Sequence, residues 1–228
     1  MIDKLAWDSI FFDFEIGRYN VTFETDWELF RKEAGDYKVV YIFSDELIQI
    51  PSLLLVDTKV TFEKKNSKKI HNQNHDEILF EKYDSTKHSY SKLLSLAYLS
   101  GSLSRFKLDP KFGEYHFKKL YKKWIDTSIA KKKDTCIWVA LFKNEIVGFV
   151  TCDKKQEDLY AIGLIAVAPN FQGRKIASQL ILCCENEIPE GYRFQVSTQE
   201  TNFGAKKLYL NCVFQIKNKI NIYHYWNE

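Results

Sequence analysis

The sequence has no long hydrophobic run and little net charge. Its longest apolar stretches, such as CIWVALF, are far shorter than the roughly 20 residues that cross a bilayer, so we expect no membrane insertion. Its 33 basic and 30 acidic side chains leave a formal charge of +3, which does not indicate a nucleic-acid-binding protein. The first residues, MIDKLAWDS, show no basic segment before an apolar core. We therefore expect no signal peptide and a cytoplasmic protein.

Recognisable cysteine patterns are also missing. The chain has five cysteines, and no two of them have the C-x-x-C spacing of zinc or redox motifs. The five histidines form no ligand pattern beside them. We therefore expect reduced thiols within a protein core and no metal site.

Material for a hydrophobic core is plentiful. Hydrophobic residues make up 45% of the 228-residue chain, which suits one large domain or two small ones. The most polar stretch is EKKNSKKIHNQNHDE, residues 63–77, and it predicts an exposed linker. We therefore predict an N-terminal domain of residues 1–75 and a second domain of residues 76–228.

The predicted N-terminal domain has the order β-α-β. EIGRYNVTF alternates like a strand, and DWELFRKEAGD has a helical pattern with Asp26 as its cap. YKVVYIF and SLLLVDTKVTFEK are typical of buried strands. This order predicts a small α/β unit.

The predicted second domain has the order α-α-β-β-β-α-β-α-β-β. Residues 109–132 give the clearest helix, with Pro110 in its first turn. Residues 159–169 read as a strand that leads directly into a helix of about residues 173–188. VFQIK and INIYHYW are predicted as two closing strands. Together the elements predict an α/β fold with a mixed sheet.

The junction between strand and helix, LIAVAPNFQGRKIASQL, is the most informative stretch. A helix that begins at the carboxyl end of a strand leaves its first amides unpaired and partly positive, which favours an anion. Gly173 permits close backbone approach, Arg174 and Lys175 add charge, and Ala177 lets the helix lie near its neighbour. The pattern fits a diphosphate, although it matches neither the dinucleotide fingerprint nor the NTPase phosphate loop.

This junction resembles the acetyl-CoA pyrophosphate motif of the GNAT acetyltransferases, Gln/Arg-x-x-Gly-x-Gly/Ala. Gln172 matches the first position and Ala177 the last, while Lys175 stands where the family usually has its middle glycine. The resemblance implies a GNAT acyltransferase fold with a smaller N-terminal α/β domain, and acetyl-CoA as the acetyl donor. The residues it places at the pyrophosphate are Gln172, Gly173, Arg174, Lys175, Ile176 and Ala177. The backbone amides it places at the thioester carbonyl are those of Ile165, Ala166 and Val167.

A second segment, TNFGAKKLYLNCVF, is similar to the helix of the same family that reads Asn-x-x-Ala-x-x-Leu-Tyr. Asn202 matches a position that commonly contacts CoA, and Ala205 follows in register. Tyr209 matches the tyrosine that often protonates the departing CoA thiolate. The alternative for Tyr209 is a core tyrosine.

Five further segments resemble the bacterial TDP-fucosamine acetyltransferases and their relatives: LAWDSIFFDFEIGR, LLLVDTKVTFEK, SRFKLDP, LYKKWIDTSI and IYHYW. The resemblance implies a nucleotide-linked amino sugar as acceptor, with a dTDP-amino-dideoxyhexose first. Arg18 and Arg105 are candidates for a second diphosphate, and Trp7 or Phe106 for stacking on a base. His224 is a candidate general base. Surface, packing and strand roles are the alternatives for these residues.

Two other functions stay open at this stage. A GNAT enzyme that acetylates a peptide or another small-molecule amine has the same cofactor motifs. A CoA-binding module without turnover also has them. Association into a homodimer is compatible with the sequence, and the lysine-rich stretches fit solvated surfaces better than nucleic-acid binding.

Overall fold

The computed structural model describes residues 1–67, 77–131 and 135–227. The chain divides into two compact units. Unit 1 comprises Met1–Val60, Gln199–Thr201 and the chain from Asn218 onward, and unit 2 comprises Thr61–Thr198 and Asn202–Lys217. The predicted domain boundary at residues 75 and 76 lies outside the described residues. No helix in the described part combines the length and apolarity needed to cross a membrane.

Strands and helices alternate along the described chain. The helices are α1 (Ala6–Phe12), α2 (Trp27–Ala34), α3 (Tyr90–Ser100), α4 (Arg105–Leu108), α5 (Gly113–Ala130), α6 (Ile176–Glu187) and α7 (Phe203–Asn211). The strands are β1 (Asp3–Lys4), β2 (Ile16–Asn20), β3 (Val39–Ser44), β4 (Leu54–Lys65), β5 (Ile78–Lys82), β6 (Thr135–Phe142), β7 (Glu145–Gln156), β8 (Leu159–Val167), β9 (Arg193–Gln199) and β10 (Gln215–Trp226). The predicted α/β class with a mixed sheet is confirmed.

Unit 1 is built on strands in the order β1-β2-β3-β10-β4. β2 and β3 run parallel, and β10 is antiparallel to β3, with His224 opposite Tyr41. Asp26 precedes helix α2, and its carboxylate accepts hydrogen bonds from two backbone amides of the first turn, as predicted for a cap. Phe30 and Ala34 of this helix pack against Val40 of β3 and Tyr223 of β10, which gives unit 1 its own core.

Unit 2 is built on strands in the order β4-β9-β8-β7-β6-β5. Strands β5 to β8 are antiparallel neighbours, and β8 runs parallel to β9. The β6–β7 hairpin turns at Lys143 and Asn144, both with positive φ, as a tight hairpin turn requires. Phe149 of β7, Leu180 of α6 and Phe194 of β9 are fully buried in the core of unit 2.

Several predicted boundaries were wrong. The helix predicted from residue 173 begins at Ile176, because Gly173 and Lys175 have left-handed backbone angles. The helix predicted from Asp109 begins at Gly113, since Asp109 instead accepts a hydrogen bond from the amide of Lys111 in a preceding turn. The two predicted closing strands form the single strand β10.

The predicted linker of residues 63–77 is in part regular structure. β4 continues through Lys65, and Asn66 is buried, with its side-chain amide donating to the carbonyls of Glu185 and Ile188 at 3.0 and 2.7 Å. Residues 68–76 of the predicted linker lie outside the described residues. Polarity alone was a poor guide here, because the side-chain amide nitrogen of Asn66 finds hydrogen-bond partners at the end of α6.

Candidate acetyl-CoA site

Two parallel strands of unit 2 separate along their length. β8 pairs with β9 only where Leu159–Ala161 lies beside Arg193–Gln195. β8 then continues to Val167 and β9 to Gln199 without further described pairing between them. Backbone groups on this side of β8 beyond Ala161, including those near Ile165, Ala166 and Val167, therefore have no ladder partner on β9. Such an opening, here called the strand split, can accept an extended ligand.

A bulge in β8 redirects the strand towards this split. Val150 of β7 lies opposite Ile165, but Cys152 lies opposite Ile162, so Gly163 and Leu164 together face Thr151. The hydroxyl of Thr151 accepts a hydrogen bond from the Leu164 amide at 2.9 Å. A Cβ atom on Gly163 would lie 2.8 Å from that hydroxyl oxygen, so the close approach requires glycine. Sequence analysis missed these residues, although a glycine inside a strand pattern is a signal for a bulge.

The strand ends in a tight turn of residues 169–175, here called the glycine turn. Residues Pro169–Phe171 form one turn of 3-10 helix, and Gln172 donates from its side-chain amide to the carbonyl of Val167 at 3.0 Å. Gly173 has a φ of +77° and open space around its Cβ direction. Gln172 therefore shapes the turn, and Gly173 leaves room for a ligand against the backbone.

Helix α6 starts without a side-chain cap. Its first residue, Ile176, is buried, and no side chain accepts the first amides of the helix. Arg174 and Lys175 are exposed beside them, and the Arg174 guanidinium lies 5.1 Å from the ring centre of Phe171. Ala177 is half-buried. Open amides, the dipole of a 12-residue helix and two cations are features that favour a negatively charged ligand here.

Lys175 is the residue at which the chain departs from the glycine motif. It has a φ of 59° and precedes α6 in the left-handed region, where glycine is favoured. A residue with a Cβ costs about 1–2 kcal/mol there relative to glycine. Lys175 thus adopts a backbone conformation typical of glycine and adds a charge.

Helix α7 starts at the second predicted motif. The Asn202 side chain accepts a hydrogen bond from the Ala205 amide at 3.1 Å, so Asn202 caps this helix. Tyr209 is 2% exposed, with ring centroids 5.5 Å from Phe62 and 6.1 Å from Phe214. Burial raises the pKa of Tyr209. Its hydroxyl is therefore protonated at neutral pH.

A buried ion pair anchors α6 to β4. Lys64 is hydrogen-bonded to Glu185 of α6, and both side chains are largely buried, at 14% and 10% exposure. Lys64 also donates to the carbonyl of Cys212 at 2.7 Å and lies 4.4 Å from the ring centre of Phe214. A cleft of about 370 Å³ adjoins this pair and extends to Lys175. The charge pattern of the sequence did not reveal this anchor, because its partners are 121 positions apart.

The predicted acceptor residues of unit 1 have different exposures. Trp7 is 50% exposed and stacks on Phe11, with ring centroids 4.9 Å apart. Arg18 is exposed and donates to the side chain of Asn20 at 3.2 Å. His224 is 1% exposed, with its ring 4.9 Å from that of Tyr41. A strand histidine held in the core describes His224 better than a base that a substrate can reach.

The predicted acceptor residues of unit 2 lie at α4. Phe106 is 6% exposed and packs edge-on against Phe112 and Trp124. Its ring thus belongs to the core and has no open face for a base, which corrects the stacking prediction. Arg105 is half-buried, with its guanidinium 4.4 Å from the Phe106 ring centre.

Solved structures share this fold at low sequence identity. A conserved protein of unknown function from Staphylococcus epidermidis is 11% identical, with a TM-score of 0.69 over 94% of this chain and 84% of its own. A GCN5-related N-acetyltransferase from Sphaerobacter thermophilus is 12% identical, with a TM-score of 0.56 over 87% of this chain and 64% of its own. The PaiA N-acetyltransferase of Thermoplasma acidophilum, solved in complex with coenzyme A, is 15% identical, with a TM-score of 0.51 over 66% of this chain and 99% of its own.

The mixed sheet, the strand split and the glycine turn define an acyltransferase fold. Residues 102–214 match the model of the acetyltransferase (GNAT) family, and this match includes the split, the turn and Tyr209. No curated protein sequence matches the chain significantly. This matched stretch, just under half of the chain, is similar to the acetyltransferase (GNAT) family, and the chain shares its fold with solved N-acetyltransferase structures.

Proposed function

We propose that this chain transfers the acetyl group of acetyl-CoA to the amine of a nucleotide-linked amino sugar. The observation that carries the donor half is the strand split leading into the glycine turn. The acceptor half is supported by the five segments that resemble TDP-fucosamine acetyltransferases. We take a dTDP-amino-dideoxyhexose as the first acceptor to test.

Donor binding is proposed at the residues predicted from the two family motifs. The amides of Gly173, Arg174, Lys175 and Ile176 would hold the diphosphate, and the open space at Gly173 fits close backbone approach. The amides near Ile165 and Val167 would polarise the thioester carbonyl, a stabilisation of a few kcal/mol per donor. The donor supplies an activated thioester there, and the protein supplies alignment.

Proton movement is proposed at Tyr209. Its hydroxyl carries a proton at neutral pH, which it would donate to the leaving thiolate. A sugar amine is partly neutral near pH 8, and a water can take its proton. No side chain is assigned as general base in this proposal.

Acceptor binding is proposed at Arg18 and Trp7 of unit 1, where the arginine would pair with the diphosphate of the nucleotide sugar and the half-exposed ring of Trp7 would stack on its base. Arg105 of unit 2 is a separate candidate for the diphosphate. These assignments predict that Arg18→Ala, Arg105→Ala and Trp7→Ala raise the KM for the sugar and leave the KM for acetyl-CoA unchanged.

The test is acetyl transfer to a panel of amines. The full chain is incubated with acetyl-CoA and dTDP-amino sugars, peptides or polyamines, and product is followed by mass spectrometry together with free thiol release. Acetylation of a sugar, without acetylation of peptides or polyamines, supports the proposal. Acetylation of a peptide or polyamine alone would replace the acceptor class. Acetyl-CoA binding without turnover on any amine would indicate a CoA-binding module.

A further inference from the structure

Three cysteines converge in unit 2. Cys136 on β6 lies directly opposite Cys152 on β7, and Cys184 approaches them from α6. The three sulfur atoms all lie within 4.8 Å of one another. Cys152 and Cys184 are buried and Cys136 is partly exposed. These three residues are here called the thiol cluster.

The spacing of the sulfurs is close to that of a metal–thiolate centre. An ion with three sulfurs in a plane at about 2.3 Å places those sulfurs about 4 Å apart. The sulfurs of the thiol cluster reach this spacing by movements of less than about 1 Å, which rotation about side-chain bonds provides. Three thiols without an oxygen ligand among them favour thiophilic d10 ions such as Cu(I), Zn²⁺ or Cd²⁺.

An ion can reach the cluster from solvent. Cys136 and Cys152 line a cleft of about 730 Å³ whose wall also includes Glu81, His88 and Glu187. The His88 ring lies 2.6 Å from the Glu81 carboxylate, and three lysines, Lys82, Lys87 and Lys154, also line the cleft, so the approach is polar and carries both signs of charge. The cleft provides an access path that a thiol group sealed in the core would lack.

We propose that Cys136, Cys152 and Cys184 form a binding site for a soft d10 metal ion. Binding displaces the thiol protons to solvent and forms three sulfur–metal bonds, with no change of oxidation state. The ion joins the β6–β7 hairpin to α6, the helix that begins at the glycine turn. The bound ion therefore stabilises the folded chain.

The test uses the reduced, metal-free full chain and Cd²⁺ as the probe. We expect one ion per chain, an ultraviolet thiolate-to-metal charge-transfer band, and a higher Tm with Cd²⁺ than without. Because loss of an outer partner already weakens metal binding by roughly 10- to 100-fold, loss of a ligand sulfur should weaken it by about 100-fold or more. Cys136→Ser, at the partly exposed position, is the first variant, followed by Cys152→Ala and Cys184→Ala.

The matched control is Cys212→Ser, which removes a thiol at the end of α7, outside the cluster. It should keep the band, the stoichiometry and the affinity. No band in the wild-type chain, or equal loss in Cys212→Ser, would overturn the proposal. Binding that survives Cys184→Ala but is lost in Cys183→Ala would overturn the assignment of the third ligand. A third outcome is that Cys136 and Cys152 form a disulfide in air and the reduced chain does not bind Cd²⁺. This result would replace the metal site with a redox pair.

Discussion

The glycine turn and the thiol cluster share helix α6 but are built in opposite ways. The glycine turn leads into Ile176 and offers backbone amides to a ligand. Its side chains, such as Gln172, act by fixing the path of the backbone. The thiol cluster uses the side chain of Cys184 with two more from β6 and β7. A backbone site depends on the angles at a few positions, whereas a side-chain site depends on the identity of each member. The two regions should therefore respond differently to substitution.

The largest effect is expected at the anchor that both regions share. Lys64→Met leaves the Glu185 carboxylate buried without its cation, and should lower the free energy of unfolding by about 3–5 kcal/mol. Urea unfolding measures this loss. Acetyl-CoA binding and Cd²⁺ binding should weaken together, which would remove the contrast between the regions. The control is Lys82→Met, whose pair with Glu187 on the same helix is exposed and should cost less than about 1 kcal/mol.

Equal small losses in Lys64→Met and Lys82→Met would contradict the anchor. They would mean that Glu185 finds another partner when Lys64 is absent.

The next effect sharpens the contrast within the acetyl-CoA site, between binding by backbone and proton transfer by one side chain. Tyr209→Phe keeps the ring that packs against Phe62 and Phe214 and removes only the hydroxyl. We expect kcat to fall 10-fold or more, within the roughly 10²–10⁴ range of general-acid effects, with acetyl-CoA affinity barely changed. Steady-state kinetics and calorimetry measure the two quantities. Tyr192→Phe, at a half-buried tyrosine before β9, should behave like wild type; an unaltered kcat in Tyr209→Phe would remove it from the mechanism.

The glycine turn was predictable from the sequence because the residues that form a backbone site lie close together along the chain. Gln172, Gly173 and Ala177 fall within six positions. The hydrophobic periodicity on either side of them predicts a strand followed by a helix. The α7 motif, which includes Asn202 and Tyr209, could be recognised for the same reason. The α/β class followed from these elements. The predicted first residues of the helices were wrong where residues with left-handed backbone angles precede or begin a helix.

The thiol cluster was not predictable, because its members come from three elements separated by 16 and 32 positions. The sequence search for short cysteine spacings found none, and only the pairing of β6 with β7 and the docking of α6 bring the sulfurs together. Phe106 failed for a related reason. An aromatic residue looks the same in sequence whether it packs in a core or stacks on a ligand, and the tertiary contacts with Phe112 and Trp124 decide.

A third prediction isolates the backbone of the glycine turn with a matched pair of glycines. Gly173 and Gly191 have φ values of +77° and +81°, and neither has an atom near its Cβ direction. Gly173→Ala and Gly191→Ala should therefore lose similar stability, about 1–2 kcal/mol each. Only Gly173→Ala should weaken acetyl-CoA binding, by about 10-fold, the equivalent of one charge-assisted hydrogen bond. Calorimetry with coenzyme A and urea unfolding test the pair, and equal affinity in both variants would mean that the diphosphate lies elsewhere.

The smallest effect is expected at Lys175, where backbone and side chain can be separated. Lys175→Ala and Lys175→Gly remove the same charge, so each should weaken acetyl-CoA binding only a few-fold, and less at high salt. They differ in backbone strain, because only glycine relieves the φ of 59°. Lys175→Gly should thus be the more stable of the two, by up to about 1 kcal/mol after the added freedom of its unfolded chain is counted. Abolished binding in both would mean that the lysine side chain holds the diphosphate, and the glycine turn would then depend on residue identity just as the thiol cluster does.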